Sequence, residues 1–314
     1  MATIASQGAP GTRSAESSRS KRERADAILP WVYLAPAMVA LIVVGVYPVI
    51  YALWASVHQV SLINLASGTP WSGASNYVQA FTNSFFLASL GRTLLFLVIA
   101  LPLELVIGLG VALVLDGDTF SALRGAVRVI LVIPMAMTPV VVGLVGDLIF
   151  NEQFGVINCL LGLVHVGPVD WLGSPASAFI TILVLQIWQW TPFVALILLA
   201  GLATVPKEIE EAMRLETNSW PAILRYGKLP YLLPGITAAL IFQTAYIFKL
   251  FDMVFTLTGG GPGVATQLIT LYVQRNAFRA FDIGGAAAQS IILLIVTIVL
   301  ARIYIRAFYQ ELEA

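Results

Sequence analysis

Two charge-free stretches constrain this chain more than anything else in it. No Asp, Glu, Lys or Arg occurs from Ala27 to Gly91, a run of 65 positions, or from Trp171 to Pro206, a run of 36. Roughly a quarter of the residues in a soluble domain are charged; here the figure is 11%, against 59% hydrophobic. A helix crossing lipid needs about 20 consecutive apolar residues and satisfies its backbone groups internally. The chain is therefore expected to be an all-α membrane protein. Six windows meet the length requirement, near 30–57, 91–115, 125–149, 177–203, 231–256 and 284–308.

Residues 1–25, rich in Ser, Gly, Ala and Arg, cannot bury a core and read as a disordered tail. The domain proper is expected over residues 26–314. The first apolar run far exceeds the 7–15 residues of a signal-peptide core, so it is read as a retained anchor. The formal net charge is zero, which gives no electrostatic case for binding nucleic acid. A single cysteine, Cys159, excludes an internal disulfide and a cysteine-based metal site. His58 and His165 lack neighbouring ligand partners, so no metal site is expected.

Lys and Arg placement gives the orientation. Thirteen of the seventeen fall on one side: five in the tail, Arg124, Arg128, Lys207, Arg214, Arg225, Lys228, Arg302 and Arg306. Arg92, Arg275 and Arg279 fall on the other, and Lys249 sits within the fifth window. Both termini and the polar loop of about residues 204–230 are thus expected on the cytoplasmic face of the membrane.

That loop is the one sizeable charged island in the second half. Pro206 suits a first helical position, with Glu208, Glu210 and Glu211 placing negative charge near the helix start. Ile209, Ala212 and Met213 follow at helical spacing, giving a narrow apolar ridge. Thr217-Asn218 breaks the pattern, and Ser219 before Trp220-Pro221 suits the N-cap of a second helix. A helix-turn-helix knob between the fourth and fifth spans, with an apolar ridge and charged flanks, suits a grip by another protein.

Within the spans, ionisable and amide groups are costly and tend to face a cavity or one another. Lys249 and Asp252 stand at i, i+3, so they form either a mutual ion pair on one helix face or part of a translocation path. Gln243 is also a path candidate, although a regular helix would turn it away from that pair. Gln186, Gln189 and Trp190 cluster with Trp188 near the middle of the fourth span rather than at an interface, where tryptophans serve as anchors, and are further path candidates. Glu104 reads as a hydrogen bond to another helix or as a proton relay. Asp116-Gly117-Asp118 is a tight polar turn, or the nearest thing to an enzyme's carboxylate cluster. The Gly259-Gly260-Gly261-Pro262-Gly263 run lacks the lysine of a phosphate loop and reads as a turn.

The segment Glu211-Ala212-Met213, Glu216, Ser219-Trp220, Leu224 and Leu229-Pro230 resembles the cytoplasmic "EAA" loop of carbohydrate-type ABC importer permeases. Trp190-Thr191-Pro192-Phe193, Leu199-Ala200-Gly201-Leu202 and the stretch from Phe251-Asp252 to Gly261-Pro262 resemble the flanking segments of that family. The resemblance implies that Glu211, Ala212, Met213, Arg214, Glu216, Thr217, Asn218 and Ser219 contact a partner ATPase. It also implies two ATPase subunits holding ATP and Mg, a second permease subunit and an extracytoplasmic solute-binding protein, with no cofactor or enzyme activity in this chain. Glu216, Thr217 and Asn218 replace the family's Asp, Gly and Ala. Glycine in such a turn serves a positive φ that Thr tolerates badly, so Asn218 is expected to take the left-handed conformation. The competing classes are an ion-coupled secondary transporter, with Glu104, Asp147 and Lys249 as coupling charges, and an integral membrane enzyme.

Overall fold

In a computed structural model of the chain, residues 30–31, 33–63, 68–117 and 124–309 are described. The tail expected over residues 1–25, and Asp118, lie outside them. The chain divides into two units, residues 1–54 and 55–314. The described residues are helical in the main, with isolated bridges as their only extended pairing. Unit one holds nearly all of α1 (Tyr33–Ser56), a 24-residue apolar span none of whose apolar window is buried.

In the second unit, α2 (Ser75–Thr82) leads into α3 (Ser84–Asp116), started by Asn83, whose side-chain oxygen accepts from the Phe85 and Phe86 amides. The window at 125–149 is not one straight helix. It is α4 (Arg124–Ala136) and α5 (Pro139–Ile149), bent by 97°. Thr138 precedes Pro139 and is extended (φ −69°, ψ 147°), because the proline ring excludes the helical conformation from the residue before it. Neither half reaches the length of a span on its own.

A short outer helix, α6 (Val156–Leu163), precedes α7 (Pro175–Leu202), which Ser174 caps. Next come α8 (Lys207–Glu216) and α9 (Trp220–Ile247). The fifth span therefore begins and ends about ten residues earlier than its hydropathy window. Its first turns widen to π-type geometry over Ile223–Lys228, just before Pro230, whose ring crowds the carbonyl four residues back. After α9 come α10 (Asp252–Leu257), α11 (Ile269–Phe278) and α12 (Ile283–Tyr309).

The spine of this unit is the α3–α7 pair. A β-carbon on Gly108 would sit 2.9 Å from Val194 Cγ1 and 3.2 Å from the Ala195 amide nitrogen, so glycine allows the two backbones to approach. Two apolar clusters fill the interior. One, around Phe86, Phe96, Ile182, Ile247, Met253 and Ile269, joins α3, α7, α9, α10 and α11. The other, around Ala112, Val194, Leu198 and Leu232, sits toward the α8 end. Gly259, Gly260 and Gly263 all have positive φ; the glycine run is a turn.

Candidate functional site

Two polar regions emerge. The first is the knob. α8 leaves Pro206, which stands before the helix at φ −61°, ψ 136° rather than at its first position. Glu208 and Glu210 lie in its first turn and Arg214 in its last, the arrangement the helix dipole favours. The expected apolar ridge does not project as a unit. Ile209 and Met213 are half-buried, and Met213 rests on the π turn, where its Cγ would lie 3.2 Å from a β-carbon on Gly227. The face that does project carries Glu208, Glu211, Ala212 and Leu215, spaced i, i+3, i+4, i+7. Leu215 is 90% exposed. Sequence reasoning passed over it, although its spacing from Ala212 and Glu211 carried the signal. Glu216, Asn218 and Ser219 are exposed as well.

The turn overturns the expectation for Asn218. Neither Thr217 nor Asn218 has positive φ, and Thr217 is extended (φ −151°, ψ 141°). The Thr217 amide donates to the Met213 carbonyl at 2.9 Å, and the Thr217 hydroxyl accepts from the Ser219 amide at 3.0 Å. A β-branched residue favours extended backbone and its hydroxyl holds the next amides, so this turn needs no glycine. Ser219 correspondingly caps nothing with its side chain; its carbonyl accepts from Ala222 and Ile223. The second helix of the knob is not separate, since it is the first stretch of α9.

Charges tie the knob down. Lys228 Nζ lies 2.9 Å from Asp116 Oδ2 and 3.6 Å from Glu210 Oε2, while Arg214 bonds the other Glu210 oxygen at 2.8 Å. The Arg214 hydrogen bond, with Lys228 nearby, holds the Glu210 carboxyl below the ordinary carboxylate range. Asp116 thus ends α3 in an ion pair with Lys228; the other carboxylate of that turn, Asp118, lies outside the described residues. A cleft of about 750 Å³ opens beside these groups, lined in part by Lys207, Asn218 and Trp220.

The second region is a set of buried polar residues within the spans, Glu104, Gln186 and Gln189 in the interior of α3 and α7 and Gln243 in the last turns of α9. Glu104, Gln186, Gln189 and Gln243 are each buried to 1% exposure or less. Gln186 Nε2 donates to Glu104 Oε1 at 3.3 Å, joining α7 to α3. Gln189 Nε2 donates to the Met137 carbonyl at 3.0 Å, at the α4–α5 break. Glu104 Oε2, Gln186 Oε1, Gln189 Oε1 and both polar atoms of Gln243 have no hydrogen-bond partner among the described residues. Trp190 meets Tyr246 with ring centroids 4.1 Å apart, and it also meets Phe193. Trp188 points outward.

Lys249 and Asp252 do not share a helix face. α9 ends at Ile247 and Asp252 opens α10, so the backbone between them is irregular. Among the described residues the ion pairs are those of Arg214 and Lys228, and neither Lys249 nor Asp252 takes part in one. Both are exposed. Lys249 borders a pocket of about 420 Å³ with Thr270, Ser290 and Thr297. Among the described residues no three His, Cys, Asp or Glu side chains converge as metal ligands.

Comparison with known proteins gives a concordant result. The chain is 32% identical to the trehalose/maltose transport system permease protein MalF of Thermococcus litoralis, over 91% of this chain and 96% of that protein. It is 33% identical to the sulfoquinovosyl glycerol transport system permease protein SmoG of Agrobacterium fabrum, over 90% of each. Its fold is shared with a chain of a bacterial ABC transporter involved in the import of the acidic polysaccharide alginate. That likeness has a TM-score of 0.76 at 19% identity and covers 93% of this chain and 99% of the other. A family profile matches residues 85–313, taking in every helix from α4 to α12 and nearly all of α3. The chain belongs to the family of binding-protein-dependent transport system inner membrane components.

Proposed function

We propose that this chain is a pore-forming permease subunit of an ATP-driven importer of sugars or related polyols and glycerol phosphates. Cargo is delivered by a solute-binding protein and crosses by alternating access. Residues 26–314 form the transmembrane domain, with both termini and the loop of residues 204–230 cytoplasmic. Two ATPase subunits hold ATP and Mg, one of them gripping α8, and a second permease completes the pore. The observation that carries the reading is the free face of α8. Glu208, Glu211, Ala212 and Leu215 stand clear on a helix that is itself braced by the Lys228–Glu210 ion pair and by the Met213–Gly227 contact. A rigid, exposed, mixed apolar and acidic ridge is what transmission from a separate motor requires. The sequence has no phosphate loop of its own, and its relatives are named as sugar-transport permeases.

Alternating access would carry cargo past the mid-span amides. Gln186, Gln189 and Gln243, with Trp190 beside them, offer hydrogen-bonding atoms and an aromatic face in lipid-depth surroundings. Lys249 and Asp252 line the same path nearer its other end. The rival ion-coupled reading loses support from Glu104, which is engaged by Gln186.

The test is uptake of trehalose, as probe sugar, into proteoliposomes. The expected result is uptake that needs the second permease, the ATPase, the binding protein and ATP, and that ignores a protonophore. Deleting residues 208–216 should abolish it while leaving membrane insertion intact. Uptake by this chain alone, abolished by the protonophore, would refute the reading.

A further inference from the structure

Lys228 joins three elements, of which only α8 and α9 are consecutive in the chain. It closes the widened turn at the base of α9, and its ammonium bonds Asp116, the last residue of α3, 112 residues away in sequence. The same ammonium lies 3.6 Å from Glu210 on α8, whose other oxygen holds Arg214. The Lys228 side chain is only 14% exposed, against 30% for Asp116 and 31% for Glu210. A shared ammonium in such partial burial is worth more than an isolated surface pair, and it fixes distance as well as energy.

The position on α3 matters. Asp116 and Glu104 are twelve residues apart on one helix, about 18 Å at 1.5 Å per residue. Glu104 is bonded to Gln186 in the mid-span cluster. Thus α3 runs from the knob to the amides as one unbroken helix. Without Lys228, a push on α8 reaches α7 through the Ala203–Pro206 link and α9 through the extended Thr217–Ser219 link and the Met213–Gly227 contact, but has no ion pair to α3.

We propose that Lys228 is a positioning residue that locks α8 to the end of α3, so that displacement of α8 by its motor moves the second span together with the fifth. This rests on the reading of α8 as the element a partner ATPase grips.

The test uses the assembled importer, with second permease and ATPase, in a C159S background. Spin labels replace Val114 on α3 and Leu294 on α12, both exposed. Pulsed electron resonance then reads their separation with and without ATP. The expected result is a shift of about 2–5 Å on nucleotide binding in the parent and in K228R. In K228M the shift should shrink at least about fivefold with the ATPase still bound, a loss within the range of pairwise coupling. D116N should reproduce K228M, and D116N/K228M should lose no more than either alone. D116N, which keeps the lysine, carries the test if K228M does not assemble.

A parent-like shift in K228M or D116N overturns the proposal, as do single losses that multiply in the double variant. No ATP-dependent shift in the parent overturns the gripping of α8 itself, a different failure.

Discussion

The knob and the mid-span cluster are the two places where this apolar chain accepts polarity, and they do so in opposite ways. In the knob the polar groups that meet the spans are charged and paired, with Lys228, Asp116, Glu210 and Arg214 forming one network in reach of water. In the cluster they are mostly neutral amides, fully buried, and several of their atoms lack a partner among the described residues. Charge in partial contact with water is affordable when paired, and it fixes one element against another. An unpaired amide at lipid depth costs free energy that packing alone does not return. The difference fits the roles proposed for them, a first region that holds still relative to its neighbours and a second whose free amide atoms can take up new partners.

The sharpest way to break this contrast is Leu215→Asp. It touches nothing inside the chain, so thermal stability of the purified subunit should stay within about 0.5 kcal/mol. ATP-driven uptake should fall about 100-fold, the scale of losing an interface anchor. Intact uptake would mean that the exposed ridge is idle.

Gln243→Leu should show the reverse signature. Removing a buried amide without partners relieves a penalty of about 1–3 kcal/mol, so stability should hold or rise. Uptake of the cargo sugar should drop about tenfold, as for a lost cargo hydrogen bond. A destabilised variant with normal uptake would make Gln243 structural.

Glu104 separates hydrogen bonding from ion coupling. Glu104→Leu strips Gln186 of its acceptor and should cost about 1–2 kcal/mol. Glu104→Gln keeps a bond to Gln186 and should leave both stability and ATP-driven uptake nearly unchanged. Loss of uptake in that variant would revive a proton-relay role.

The smallest effect concerns pH. Glu210 is held below the ordinary carboxylate range by Arg214 and Lys228. A carboxylate depressed in the folded state stabilises above its unfolded pKa and stops doing so as pH falls through its lowered value. A spin label at Leu215 should therefore show unchanged mobility from pH 7.5 to pH 5.5. Loosening should begin only below the ordinary carboxylate range, and loosening already at pH 6 would show that the network does not hold α8.

Hydropathy made the spans legible because lipid imposes a single requirement on every one of them. It located α3, α7 and α12 well and misplaced α9, because helicity and membrane burial are different properties. Arg225 and Lys228 ended the apolar window while the helix continued through them in a widened turn. The break at Thr138 was written in the proline that follows it, but two apolar halves counted together look like one span. On α8, spacing singled out Ala212 and the resemblance singled out Glu211, both of which are exposed, whereas Leu215 was not singled out. Whether Met213 or Leu215 faces outward depends on which side of α8 lies against Gly227, a tertiary fact. The Thr217 turn shows the same limit. The departure from glycine was visible, but its solution by an extended backbone and a hydroxyl needed the structure.

The most direct test of the central claim is photo-crosslinking from α8 in membranes containing the full set of subunits. A photoreactive residue replaces Leu215 in one variant and Met213 in another. The account predicts a crosslink to the ATPase from position 215, strengthened or shifted by ATP, and little or none from position 213, which rests against the π turn. No ATPase crosslink from 215, or a stronger one from 213, would contradict it.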